Sequence, residues 1–412
     1  MNKIFQRAKD HDNRDALAGF KELFHVPEGV IYLDGNSLGL MPKTCSERVR
    51  DVAQNEWSEG LIRSWSEAGW FHLPITVGNR IAPIVGAGEN EIAVGDSTSV
   101  NLFKCLAAAL KLRPGRKVIL SEADNFPTDH YIANGLAGMI DGYEVCDLNP
   151  GDDLAEKLDE SVAVLILSHV HYKSCRIRDI PMINKAAHKK GVLVLWDLSH
   201  TSGAVEINLK ADDCDFAVGC TYKYLNGGPG APAFAWINPR LQDQIDQPLS
   251  GWMGHLDPFA FTPGYRPAEG VRRLVCGTPQ VLSLSTLDEA LRLWEKVDRN
   301  TLFAKSRAMT SFFIGAVEEV CADQPLTLIS PRDPAIRGSH VSFDYDNGYG
   351  TMRALAERRV IGDFRAPRTM RFGFAPLYLS FEDVARAVEH LKHVLDGQEW
   401  QRAEFNIRGE VT

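Results

Sequence analysis

The hydrophobic positions of this chain fall into short, unbroken runs separated by stretches with helical spacing. Residues 118–120, 162–167, 192–195, 216–220 and 233–237 are apolar almost throughout. Short runs without polar alternation predict strands buried on both faces, the mark of a mostly parallel sheet covered by helices. Between and before these runs the period lengthens. Asp96-Ser97-Thr98-Ser99 offers capping side chains to a helix over residues 100–110, which stops at Pro114-Gly115. Residues 183–190 read as a second helix between strands.

The two ends of the chain have a different rhythm. Residues 1–30 predict a helical arm ending near Pro27-Glu28-Gly29, followed by a short strand over residues 31–34 and a turn-rich loop, Gly35-Asn36-Ser37-Leu38-Gly39. Residues 45–61 read as one helix, with Val49, Val52, Ala53 and Trp57 at helical spacing. After a long amphipathic helix over residues 282–297 the order is helix (302–320), strand (341–343), helix (352–358), strand (370–374) and helix (381–395). The expected architecture is α/β. A large domain over residues 65–300 carries the mostly parallel, mixed sheet under helices. A smaller α+β domain is formed by residues 1–64 and 301–412.

Composition narrows the function classes. At 412 residues with 44% hydrophobic positions, the chain is long enough for a large core and a second, smaller one. A net charge of -9 without a basic run argues against a nucleic-acid surface. The N-terminus has no apolar core of a signal peptide, and no apolar run reaches the roughly 18 residues of a membrane helix. The eight cysteines are scattered, with no paired spacing for zinc, as expected of free thiols in a reducing cytoplasm.

Two residues at strand ends suggest the chemistry. Lys223 lies in Cys220-Thr221-Tyr222-Lys223-Tyr224-Leu225-Asn226-Gly227-Gly228, just past an apolar run. Asp197, in Trp196-Asp197-Leu198-Ser199-His200, ends the run before it. A lysine able to form a Schiff base and a carboxylate facing a protonated ring nitrogen are what pyridoxal 5'-phosphate asks of a protein. α/β sheets place ligands at such strand ends, although Asp197 would serve equally as a helix cap there. Phosphate needs N–H donors at a helix start, which Thr98 and Ser99 provide, as an ordinary N-terminus also would. In Asn125-Phe126-Pro127-Thr128-Asp129, Phe126 is placed to stack on a ring and Asp129 to hydrogen-bond near it; the commoner fate of such a phenylalanine is the core. Arg371, in Arg371-Phe372-Gly373-Phe374, has a guanidinium fork that matches an amino acid's carboxylate bidentately, although by itself such an arginine is more often a surface or structural one.

Taken in order, Tyr32-Leu33-Asp34-Gly35-Asn36-Ser37-Leu38-Gly39, Asn125-Phe126-Pro127-Thr128-Asp129, Asp197-Leu198-Ser199-His200, Thr221-Tyr222-Lys223-Tyr224-Leu225-Asn226, Gly251-Trp252-Met253-Gly254-His255 and Arg371 with Pro376-Leu377-Tyr378 resemble the kynureninases. The resemblance implies a fold type I pyridoxal-phosphate enzyme, a homodimer with shared active sites that hydrolyses L-kynurenine to anthranilate and L-alanine, and 3-hydroxykynurenine less well. By motif position it implies Lys223, Tyr222 and Asp197 as catalytic. Around the cofactor it implies Thr98, Ser99, Phe126, Thr128, Asp129, Ser168 and His200, with Trp252 and Thr278 arriving from the neighbouring subunit. Arg371, Asn36, Ser37 and Trp65 are implied on the substrate side. Other activities of the same fold are a cysteine desulfurase or selenocysteine lyase, an aminotransferase, or a binding protein without catalysis. The first requires a nucleophilic cysteine late in the chain, where only Cys321 is available.

Overall fold

The computed structural model describes residues 1–407 and 409. In chain order its strands are β1 (Ile31–Tyr32), β2 (Ile92–Val94), β3 (Val118–Glu122), β4 (Glu144–Leu148), β5 (Val162–Ser168), β6 (Leu193–Asp197), β7 (Phe216–Gly219), β8 (Phe234–Ile237), β9 (Thr327–Leu328), β10 (His340–Asp344), β11 (Val360–Ile361), β12 (Asp363–Arg365) and β13 (Thr369–Gly373). The chain forms two compact units. One comprises residues 44–169 and 178–295, the other residues 1–43, 170–177 and 296–412.

The first unit is built on a seven-stranded sheet, β2-β8-β7-β6-β5-β3-β4, in which only β8 runs against its neighbours. Every residue of β5, β6 and β7 is buried, which is why their sequences show no alternation. Trp196, Phe216, Phe234 and Trp236 are fully enclosed and fix the spacing between sheet and helices. The helix Thr98–Leu112 packs its alanine-rich face into this core, and Ser97 caps it by accepting from the Val100 N–H.

The second unit carries an antiparallel sheet, β12-β13-β10-β9, and a parallel pair, β1-β11. The helix Phe381–Asp396 packs against the helices Asn2–Asp12 and Arg299–Val320 and is opened by a reciprocal Ser380–Asp383 capping box. Asp12, at the end of the N-terminal helix, accepts from the Phe381 and Glu382 N–H groups, and His11 stacks on the Phe381 ring at 4.4 Å.

Two segments depart from the pattern expected of the sequence. Residues 45–61 are not one α-helix: Lys43–Asp51 is α-helical and Val52–Gly60 widens into a π-helix. The Ser64 hydroxyl donates to the Glu56 carbonyl at 2.6 Å, the Trp70 indole donates to the Glu56 carboxylate, and Leu61 turns to φ 51°. Long-range partners thus override periodicity, as is common where π-turns occur. The division between units also falls elsewhere than residues 65 and 300. Residues 44–64 belong with the seven-stranded sheet, where Val52 is buried and the Cys45 thiol reaches the Thr286 carbonyl. Residues 170–177, just after β5, belong with the antiparallel sheet, held by the Ser342 hydroxyl on the Lys173 carbonyl and by Ile177 N–H on the Ile336 carbonyl.

Candidate active site

The carboxyl ends of the parallel strands gather the polar groups of the first unit. In the register of β5 and β6, Ser168 lies directly beside Asp197. β7 ends at Gly219, and the following turn brings Lys223 Nζ to 2.8 Å from His200 Nε2 and 5.9 Å from the centre of the Tyr222 ring. Asp197 is 6% exposed, and one of its oxygens accepts the Ser199 N–H at 2.8 Å. Asp129 is 1% exposed. Asn125 links the two strand ends: its amide donates to Asp129 at 3.1 Å, and its carbonyl oxygen accepts the Ser168 hydroxyl at 2.7 Å.

Burial sets the electrostatics here. Asp129 is pushed well above the usual carboxylate range by desolvation and then by the charge of Asp197. Asp197 is raised by desolvation, against which the Ser199 bonds and the positive charge of Lys223 act. A buried carboxyl so placed is completed by a cation, and a protonated ring nitrogen is such a cation. The Tyr222 phenol is also pushed up, first by the neighbouring Cys220 sulfur and then by burial, and stays protonated at neutral pH.

Thr98 and Ser99 occupy the first turn of the helix Thr98–Leu112, whose leading N–H groups have no intrahelical acceptor. The turn before it is held from below. Lys104, 1% exposed, donates to Asp96 at 2.5 Å, to the Leu274 carbonyl at 2.6 Å and to Asn101 at 3.4 Å, with Asp96 at φ 52°. Phe126 precedes the helix Pro127–Ala137 and is 38% exposed rather than in the core, with Thr128 and Asp129 in that helix's first turn. Trp65 and Thr278 meet in an apolar cavity of about 500 Å³, with Val52, Trp57, Trp70 and Leu282. Trp252 is 41% exposed, with its indole N–H on the Pro258 carbonyl and its ring against Phe259 and Phe261.

The second unit places Arg371 differently from the expectation of an open fork. It is 2% exposed. β12 and β13 pair Asp363 directly opposite Arg371, and Asp363 fills the fork: Nε donates to Oδ1 at 2.8 Å and Nη2 to Oδ2. Nη2 also donates to the Ser37 hydroxyl at 3.1 Å, and Nη1 to the Tyr172 carbonyl at 2.6 Å. The Ser37 hydroxyl in turn donates to Asp363 at 2.9 Å, so it bridges the pair. Asn36 is fully buried, its amide nitrogen and oxygen without partners among the described residues, and its Oδ1 lies where a side chain on residue 373 would sit. That position is Gly373, two residues along the strand from Arg371. Asp34, whose Oδ1 is also buried and unpartnered among the described residues, is raised to about 7 by burial and by Asp363.

Asp363, Tyr172, Lys104 and the linking role of Asn125 do not stand out in the sequence. Asn125 adjoins Phe126 in a motif already singled out. Asp363 and Tyr172 carry no local signal, since they reach Arg371 through strand register and a chain crossover.

Residues 302–391 match the kynureninase C-terminal domain. The chain is 47% identical to a kynureninase of Pseudomonas fluorescens, over 97% of this chain and 98% of that protein. It is 48% identical to a kynureninase of Burkholderia mallei over the full length of both. Among solved structures, a cysteine desulfurase from Thermococcus onnurineus NA1 superposes with a TM-score of 0.79 at 18% identity, over 92% of this chain and 98% of that one. A cystine C-S lyase superposes with a TM-score of 0.75 at 16% identity, over 89% of this chain and 98% of that one, and these two likenesses establish the fold alone. Full-length identity near one half with relatives of one name, together with the matched C-terminal domain, makes this chain a member of the kynureninase family.

Proposed function

We propose that this protein hydrolyses L-kynurenine to anthranilate and L-alanine with pyridoxal 5'-phosphate as cofactor. The observation that carries the reading is the buried Asp197 carboxyl at a strand end, in the same cluster as the Lys223–His200 pair. These residues fit the cofactor: Asp197 suits the ring nitrogen, Lys223 its reactive carbon, Phe126 its face, and Thr98 and Ser99 its phosphate. Thr128, Ser168, His200 and Asp129 supply further polar groups at its rim. When bound, the cofactor supplies an electron-withdrawing ring that stabilises negative charge on a substrate carbon.

The chain's own side chains then divide the work. The Lys223 amine takes and returns the proton at the substrate's Cα. Water adds its oxygen to the γ-carbonyl carbon, which leaves as the carboxyl of anthranilate when the Cβ–Cγ bond breaks. Tyr222, held protonated by its surroundings, assists at that carbonyl or donates a proton to the freed Cβ, a role worth roughly 10²–10⁴-fold in such reactions. Arg371 and Asn36 receive the substrate carboxylate, with Ser37 fixing Arg371, and Trp65 offers an aromatic wall to the substrate's ring. The protein works as a homodimer. The exposed Trp252, Phe259 and Phe261 form an aromatic cluster of the kind that marks protein interfaces, and Trp252 and Thr278 are its contributions to a neighbour's site. The eight free thiols suit a reducing cytoplasm, and no helix among the described residues is long and apolar enough to cross a membrane.

The desulfurase alternative lacks its nucleophile. Cys321 is 4% exposed and raised to about 11 by burial, so it is a protonated core thiol at neutral pH. The test is direct: purified holoenzyme and L-kynurenine are mixed and followed by anthranilate fluorescence and alanine release. Equal amounts of the two products are expected. A keto acid in place of alanine, or no anthranilate, would refute the reading.

A further inference from the structure

A guanidinium has five N–H donors in a rigid fork. In Arg371 four are committed: one on Nε and one on Nη2 to Asp363, the other on Nη2 to Ser37, and one on Nη1 to the Tyr172 carbonyl. One N–H, on Nη1, has no acceptor among the described residues. Asp363 is itself locked, accepting also from Ser37 and, at 2.8 Å, from Arg365 Nη2, with 3% exposure. Burial would raise the Asp363 carboxyl, but Arg371, Arg365 and Ser37 outweigh it and hold it below its ordinary range, so it stays charged.

We propose that Asp363 is a positioning residue for substrate: by occupying the Nε/Nη2 edge of Arg371 it leaves a single Nη1 N–H, so that an α-amino acid's carboxylate is received end-on by one N–H and the Asn36 amide rather than bidentately. This rests on the reading of Arg371 as the carboxylate-binding residue. The arrangement has two consequences. Asp363 fixes the plane of the guanidinium, so the direction of the remaining N–H is set before substrate arrives. It also neutralises most of the guanidinium charge, so that recognition depends on that direction more than on attraction. Asn36 suits the second contact because its amide is buried, unpartnered among the described residues and seated on Gly373, on the same strand as Arg371.

The experiment compares L-kynurenine with the amine that lacks its carboxylate, for the unaltered holoenzyme and the variants Asp363→Asn, Asp363→Glu and Arg371→Ala. Asp363→Asn is expected to raise KM for L-kynurenine about tenfold with kcat changed less than about threefold, a loss of roughly 1.4 kcal/mol. It should leave kcat/KM for the amine unchanged. Asp363→Glu, which keeps the charge but displaces it, is expected to recover only part of the loss. An unchanged or lowered KM in Asp363→Asn overturns the positioning role. If Arg371→Ala also leaves KM unchanged, the assignment of Arg371 itself has failed, and the two failures are thereby separated. A second measurement needs no variant. On adding L-alanine to the unaltered holoenzyme, the side-chain ¹⁵N signals of Arg371 are expected to shift at Nη1 and stay fixed at Nε. Movement at Nε would show that the fork opens to the ligand and would overturn the inference.

Discussion

Replacing Lys104 by methionine isolates what supports the turn that opens the helix Thr98–Leu112. The ammonium is 1% exposed and serves Asp96, Asn101 and the Leu274 carbonyl at once. Losing hydrogen bonds made by a charged group costs about 1.5–3 kcal/mol, and a buried carbonyl left without a donor about 1–3 kcal/mol more. Relief of the buried ammonium's desolvation offsets part of this. Asp96, with its side chain 29% exposed, is partly compensated by water. A net loss of about 2–4 kcal/mol follows, concentrated in the turn that starts the helix Thr98–Leu112. Native-state amide exchange reads this locally: the amides of residues 95–101 should exchange roughly 30- to 1000-fold faster, with the far strands of the sheet little changed. Affinity of the apoprotein for pyridoxal 5'-phosphate should fall with it. Exchange in that turn within about threefold of the unaltered protein would refute the reasoning, since a buried ion pair with two further acceptors would then contribute almost nothing.

Three further outcomes are expected. Lys223→Ala should abolish turnover and the visible absorption of the bound cofactor, and normal turnover would remove Lys223 from the chemistry. Asp34 is raised to about 7 in the folded protein, so between about pH 4 and pH 7 the folded state holds a proton the unfolded chain has lost; stability should fall as pH rises through this window. Asp34→Asn should flatten that slope in chemical unfolding, and an unchanged slope would count against the assignment. Lys305→Met leaves the Asp15 carboxylate, 2.6 Å from the lost ammonium and only 5% exposed, without its cation, at about 3–5 kcal/mol. The thermal midpoint should drop and largely recover in Lys305→Met with Asp15→Asn; equal midpoints for the single and double variants would exclude the pair as the cause.

The sequence by itself determined the five inner strands of the sheet and which polar residues lie at or just past their ends. The apolar runs ending at Ser168, Asp197 and Gly219 are strands because they are buried on both faces, and that burial is written in their residues without alternation. The placement of Asp197 at a strand end and of Lys223 just past one was legible because a strand end is local, and so was a cap before the helix Thr98–Leu112. The tertiary structure alone decided what depends on partners far along the chain. The π-helical turn at residues 52–60 follows from bonds made by Ser64 and Trp70, which no window over residues 45–61 contains. The excursion of residues 170–177 to the antiparallel sheet is set by Ser342 and Ile336. Most of all, the type of residue at position 371 predicts an open fork, while the register of β12 against β13 closes it with Asp363. A side chain's chemistry is fixed by its identity, but how much of it remains available is fixed by what folds against it.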